Sequence, residues 1–274
     1  MNVHAAPTHA VTEPIVLRET DGPIATLILN RPQARNSLSE ATLDALAEAL
    51  TAIGGDKSIR VVILAANGPG FCAGHDLKEL TARRSDADRG RAFFAHIMQR
   101  CSAVMQQIVH LPQPVIASVH GIATAAGCQL VASCDLAVAG SGAKFATPGV
   151  NIGLFCSTPM VALSRNVAPK HAMELLLTGD MVSAEDAARM GLVNRVVPAG
   201  GERAEALALA RKIAGKSGHT VKIGKEAFYR QAEMKLADAY HYASQVMVDN
   251  MLARDAEEGI GAFIDKRQPT WENR

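Results

Sequence analysis

The chain of 274 residues is 48% hydrophobic and 20% charged, enough apolar material for one large domain or a domain with an appendage. A formal net charge of +1 gives no uniform basic field, which argues against nucleic acid and acidic membrane surfaces and points to a small-molecule partner.

The first residues, MNVHAAPTHAVTEP, lack the basic residues and apolar core of a secretory signal and the arginines of a transit peptide, so residues 1–13 are expected as a flexible tail. Cys72, Cys101, Cys128, Cys134 and Cys156 form no C-x-x-C pair and mostly sit in apolar stretches, the pattern of reduced thiols. Together these features predict a cytoplasmic location. No apolar run approaches the roughly 20 residues that span a bilayer.

From Ile24 to about Val197, strand-like runs alternate with helical periodicity, which predicts an α/β domain. Residues 23–29, 61–64 and 115–119 read as short buried strands. Between the first two, Leu43, Leu46, Leu50 and Ile53 recur at helical spacing, with Ser37 and Glu40 as a capping box and Gly54 as the stop. Residues 92–109 predict a second helix, ended by Leu111-Pro112-Gln113-Pro114. Beyond a soft boundary near residue 200 strand signals vanish, leaving a core over 14–200 and a helical region over 201–274. A small helical region with surplus apolar faces docks on a neighbouring subunit or covers its own chain.

Two glycine-bearing turns each follow a predicted strand. The first is Asn67-Gly68-Pro69-Gly70-Phe71-Cys72-Ala73-Gly74-His75-Asp76-Leu77-Lys78-Glu79-Leu80 and the second is Gly121-Ile122-Ala123-Thr124-Ala125-Ala126-Gly127-Cys128-Gln129-Leu130. Small residues let backbone approach a ligand closely, and amides at a helix start favour negative charge. Either turn alone serves tight packing equally well. Neither fits G-x-x-x-x-G-K-[ST] or G-x-G-x-x-G, which disfavours a nucleotide-binding oxidoreductase.

Taken in order, Leu29-Asn30-Arg31-Pro32, Arg35-Asn36-Ser37-Leu38, Phe71-Cys72-Ala73-Gly74-His75-Asp76-Leu77-Lys78, Pro114-Val115-Ile116-Ala117, Ala126-Gly127-Cys128, Cys134-Asp135, Met190-Gly191-Leu192-Val193 and Glu258-Gly259 resemble the enoyl-CoA hydratase/isomerase (crotonase) family from about residue 15 onward. The similarity extends to a branch of enoyl-CoA hydratase domain-containing proteins. It implies a spiral of ββα units whose C-terminal helices assemble trimers, often paired into hexamers, and an acyl-CoA thioester as substrate with no separate cofactor. It further implies an oxyanion hole formed by the backbone amides of His75 and Ala126. Ala73, Asp76, Leu77 and Lys78 fall on the CoA-binding turn, and Ala34, Arg35 and Lys266 on positions that enclose the adenine end. Family hydratases use two glutamates to activate water; the corresponding positions here are Gln129 and Gly149. An amide exchanges no proton at neutral pH and glycine offers no side chain, so ordinary hydration by two glutamates is not expected.

Several side chains carry two readings. His75 is an acid or base near neutrality, or a passive lining of the CoA entrance. Asp76 and Glu79 form a carboxylate pair or, in the favoured reading, cap the next helix. Gln129 orients substrate or water, or is structural. Asp135 is read as a structural hydrogen-bonding residue and Cys156 as an inert thiol. The sequence thus supports an acyl-CoA lyase or isomerase, with decarboxylase and thioesterase chemistry open to the same frame, against a non-catalytic acyl-CoA binder or scaffold subunit. Histidines and cysteines show no metal-ligand spacing.

Overall fold

The computed structural model describes residues 13–274; apart from Glu13, the expected N-terminal tail lies outside the described residues. The chain begins with the antiparallel pair β1 (Val16–Asp21) and β2 (Ile24–Leu29), followed by α1 (Glu40–Gly55) and β3 (Val61–Ala66). Next come α2 (Leu77–Ala82), α3 (Arg91–His110), β4 (Val115–Val119), β5 (Ile122–Thr124) and α4 (Ala126–Ser133). They lead into β6 (Leu136–Gly140), β7 (Lys144–Ala146), α5 (Ser157–Leu163) and α6 (Pro169–Thr178). The core closes with β8 (Val182–Ser183), α7 (Ala184–Met190), β9 (Arg195–Val197) and α8 (Glu202–Ala214).

Six strands form the main sheet in the order β1-β2-β3-β4-β6-β9, parallel except for β1 on β2. β2, β3 and β4 are buried along their whole length, as strands covered on both faces must be, and this explains why they are apolar apart from Thr26 and Ser118. A second sheet joins β5, β7 and β8. After β3, β4 and β6 the chain steps into this second layer, at Cys72, β5 and β7 respectively, before entering a helix. Cys72 bridges Ala123 in parallel and β5 pairs with β7 in parallel, so each step stacks on the one before it. This is the ββα spiral that the resemblance implies.

Leu43, Leu46, Leu50 and Ile53 are all buried, as their spacing predicts, and the α1 stripe joins Ile97, Cys101, Val104 and Ile108 of α3 in the main core. The predicted capping box is displaced by two residues: Ser39 is the N-cap and accepts from the Thr42 amide, while the Ser37 hydroxyl donates to Asp76. Glu79 Oε2 accepts from the Glu40 amide, so a carboxylate from α2 completes the cap. α1 also continues one residue beyond Gly54, to Gly55.

α8 follows residue 200 yet packs on the sheet: Ala206 and Ala210 are buried with Ile24, Val61, Ile63, Ile116 and Val138. The last three helices, α9 (Gly218–Gln231), α10 (Leu236–Met251) and α11 (Arg254–Ile264), pack on one another, and α9 and α10 bury no residue. A largely enclosed ion pair, with side chains 7% and 15% exposed, ties them to the core. Lys225 Nζ donates to Asp135 Oδ2 at 2.7 Å and to the carbonyls of Ile108 and Gln113, and Tyr229 donates to Asp135 Oδ1 at 3.0 Å. Asp135 also accepts from the Val115 amide, which bears out its structural reading. Burial pulls the Lys225 ammonium below its usual value and Asp135 opposes that pull. At the far end, the Asp255 carboxylate accepts from Ser217 Oγ and from the amides of Glu272 and Asn273, fastening the C-terminal segment.

Among the described residues, no helix is long and apolar enough to cross a membrane.

Candidate functional site

The two glycine-bearing turns meet. The Phe71 and Cys72 amides donate to the Ile122 carbonyl, and the Thr124 amide donates to the Cys72 carbonyl at 2.9 Å. Gly127 is pressed against this seam: a Cβ there would lie 2.1 Å from the Cys72 carbonyl oxygen. Gly74 adopts a φ of +91°, a left-handed conformation that side chains disfavour, and a Cβ on it would lie 3.3 Å from the Ala126 nitrogen. Gly74 therefore sits against the turn that opens α4.

On either side of His75, the Gly74 carbonyl accepts from the Leu38 amide and the Asp76 amide donates to the Leu38 carbonyl. That parallel bridge uses its neighbours' polar groups and leaves the His75 amide for another acceptor. Ala126 opens α4, where first-turn amides have no intrahelical acceptor. Among the described residues, neither amide donates to a protein acceptor. Two unpaired amides on touching turns, one of them at a helix start, can receive a partly negative oxygen.

A polar network fixes the first turn. Asp76 caps α2 by accepting from the amides of Lys78 and Glu79, as its favoured reading requires. Its carboxylate also accepts from Ser37 Oγ and from Arg31 Nη2, each at 3.2 Å, and the Arg31 guanidinium helps hold it below the usual carboxylate range against the opposing effect of burial. Arg31 Nη1 reaches the Ser37 carbonyl, Ser39 and Thr42. Asn36 is fully buried, donates to the carbonyls of Asn67 and Gly70, and accepts from the Arg31 amide. The contacts of Arg31 with Asp76 and of Asn36 with Asn67 and Gly70 join residues far apart in sequence, and no local pattern announced them.

Ala34 and Arg35 lie on the turn beside this network, and the Arg35 carbonyl accepts from the Ala73 amide. Leu77 and Lys78 are exposed on α2. The fold thus gathers Ala34, Arg35, Ala73, His75, Asp76, Leu77, Lys78, Ala126 and Gln129. Lys266 stands apart, on the turn after α11.

Both imidazole nitrogens of His75 are buried without a hydrogen-bond partner. Burial lowers the pKa of this histidine, and the Leu38 carbonyl pulls the other way without closing a hydrogen bond. Gln129 is buried in α4 and its Oε1 has no partner. Gly149 is closed off: a Cβ there would meet the Leu154 carbonyl oxygen at 2.6 Å and Cys156 Sγ at 2.9 Å. Cys156 is buried and its thiol is pushed up by burial, which suits an inert residue better than a nucleophile. A cavity of about 310 Å³ opens elsewhere, beside Asp21, Gly22 and Arg211, but holds none of these groups.

A stacked ββα spiral with its two glycine-bearing turns at the junction of the two sheets defines an α/β protein of the crotonase fold. The enoyl-CoA hydratase/isomerase family model matches residues 19–274, and the chain belongs to that family. It is 48% identical to mouse enoyl-CoA hydratase domain-containing protein 3, mitochondrial, over 97% of this chain and 88% of that protein. The crystal structure of an enoyl-CoA hydratase from Mycobacterium smegmatis is 53% identical, with a TM-score of 0.90 over 94% of this chain and 99% of that one. The human enoyl Coenzyme A hydratase domain-containing protein 3 is 47% identical, with a TM-score of 0.89 over 94% of this chain and all of the solved chain. The expected cytoplasmic location is overturned, because the similar proteins from mouse, human, rat, Xenopus laevis and Danio rerio are all named mitochondrial.

Proposed function

We propose that this protein binds an acyl-CoA thioester and polarises its carbonyl oxygen between the backbone amides of His75 and Ala126, as an acyl-CoA lyase or isomerase that needs no cofactor beyond the CoA of its substrate. The observation that carries this reading is the pair of unpaired amides on touching turns. Donors fixed before the reaction stabilise an enolate-like oxygen without reorganisation, and one such donor contributes about 3 kcal/mol in a dry site. Ala73, Asp76, Leu77 and Lys78 form the turn that receives the CoA arm, Asp76 through its hold on that turn, with Ala34 and Arg35 toward the adenine end.

Water activation by two glutamates is absent from this reading. Gln129 and Gly149 stand at those positions, and the space beside Gly149 is filled by the Leu154 carbonyl and the Cys156 thiol. The same feature favours a second reading, an acyl-CoA binder without turnover. Self-association as a trimer or a dimer of trimers is supported by the apolar surface of the last three helices, where Leu252 is 82% and Phe263 85% exposed.

The test is titration with a conjugated chromophoric thioester such as dimethylaminocinnamoyl-CoA. A red shift on binding reports a polarised carbonyl; binding without a shift removes the oxyanion hole, and no binding removes the acyl-CoA reading. Loss of crotonyl-CoA absorbance, followed alongside, separates hydration from its absence.

A further inference from the structure

We propose that Arg31 is a positioning residue for the oxyanion hole: its guanidinium, shared between the start of α1 and the Asp76 carboxylate, sets the tilt of the peptide that presents the His75 amide. This rests on the oxyanion reading of that amide and adds to it a residue that touches no substrate.

The peptide joining Gly74 to His75 is trans and planar, so its carbonyl and its N–H point in opposite directions. The carbonyl is held by the Leu38 amide at 2.8 Å, which leaves the tilt of the plane about that bond to be fixed from its two ends. Gly74, at a φ of +91°, is a pivot and not a stop, since glycine meets few steric barriers. The His75 ring makes no hydrogen bond that would steady the peptide. The constraint therefore falls to Asp76, whose own amide reaches the Leu38 carbonyl at a longer 3.3 Å.

Asp76 divides its carboxylate between two partners. Oδ1 accepts from the amides of Lys78 and Glu79 at 3.2 and 3.4 Å, and Oδ2 accepts from Ser37 Oγ and Arg31 Nη2, each at 3.2 Å. The other arm of the guanidinium, Nη1, donates to the Ser37 carbonyl at 3.2 Å, to Ser39 Oγ at 2.8 Å and to Thr42 Oγ1 at 3.3 Å. A guanidinium is planar and its two arms move together, so Arg31 fixes the separation between the first turn of α1 and the residue that follows His75. The two side chains are 23% and 16% exposed, and at that depth a charge pair is weakly screened. The next polar brace, Glu79 Oε2 on the Glu40 amide, acts beyond the α2 cap and does not bear on the His75 peptide directly.

The experiment is titration of the intact protein and of Arg31→Gln, Arg31→Lys and Asp76→Asn variants with dimethylaminocinnamoyl-CoA and with free CoA, each variant first shown to keep the wild-type circular dichroism spectrum. At saturation the red shift in Arg31→Gln is expected to be about half that of the wild type, because one of two proposed donors is misaimed. The dissociation constant for free CoA stays within about threefold. Arg31→Lys keeps the charge but cannot span both sets of partners, so its shift also falls short of the wild type. Asp76→Asn keeps an acceptor for the α2 cap and removes the charge that Arg31 grips; it loses the same share of the shift, and adding Arg31→Gln to it removes no more. A full shift at saturation in any of these variants, or losses that add in the double variant, overturns the proposal and leaves the oxyanion reading standing. If the arginine variants fail to fold, Asp76→Asn decides. A wild type that binds the thioester without a red shift overturns the oxyanion reading itself, and this role of Arg31 with it.

Discussion

Replacing Gly127 by alanine tests whether the seam between the two turns sets the geometry of the site. The new methyl group would sit 2.1 Å from the Cys72 carbonyl oxygen, 2.8 Å from its carbon and 2.9 Å from the Cys72 Cβ, so no rotamer change relieves the overlap. The two backbones must part by on the order of 1 Å to reach ordinary contact. Overpacking of this kind costs about 1–3 kcal/mol, and weakening the Thr124 to Cys72 bond adds about 1 kcal/mol. Alanine's better helix propensity returns about 1 kcal/mol, which leaves a net loss of about 1–3 kcal/mol. Because the Ala126 amide adjoins residue 127, a shift near 1 Å also misaligns one of the two proposed oxyanion donors, an error that costs about 100-fold where positioning matters. Urea denaturation followed by circular dichroism measures the first effect and the chromophoric thioester shift measures the second. A variant as stable as the wild type with an undiminished red shift would refute the reasoning.

Lys225→Met removes one partner of a buried ion pair and leaves Asp135 with Tyr229 and the Val115 amide. The expected loss is about 3 kcal/mol by the same denaturation assay, and a loss below about 0.5 kcal/mol would show that α9 is held by packing alone. Gly149→Glu, alone or with Gln129→Glu, is expected to destabilise the turn of residues Pro148–Ile152 after β7 and to give no hydration of crotonyl-CoA, because the Leu154 carbonyl already occupies the direction of the new Cβ; folded protein with hydration activity contradicts this. The pKa of His75 is lowered from 6.5 by burial, so below that pH the unfolded chain binds a proton that the folded chain resists. Stability then rises with pH toward 6.5, a dependence that His75→Leu should remove when unfolding free energies are compared at pH 5 and pH 8. Equal pH dependence in both proteins would place the effect on another group.

Strands covered on both faces announce themselves as apolar runs, and β2, β3 and β4 were legible for that reason. The α1 stripe was equally clear because burial of one helix face leaves a regular record. Its cap was not: Ser37 and Glu40 have capping-box spacing, but Asp76, distant in sequence, draws the Ser37 hydroxyl away, and Ser39 takes its place. Lys225 and Tyr229 read as ordinary residues of a polar helix until the fold brings Asp135 beneath them. The core boundary near residue 200 marks the end of the strand pattern, whereas the packing of α8 on the sheet extends past it. His75 and Ala126 are assigned through family resemblance alone, since a backbone amide leaves no signature in residue type. What the sequence could not express was the crowding at Gly149, which depends on where the chain returns at Leu154 and Cys156.

The proposed electrophile-activating device resides wholly in the main chain, clamped by the Leu38 bridge on one side and the Gly127 contact on the other. In the proposed reading, a substitution at 129 changes what the site can do with protons while the carbonyl grip persists. Such a division lets a lineage exchange one reaction for another in a few steps, because binding and activation never have to be reinvented. It also gives laboratory evolution a definite starting plan: randomise the side chains around a fixed pair of amides, and leave the glycines alone.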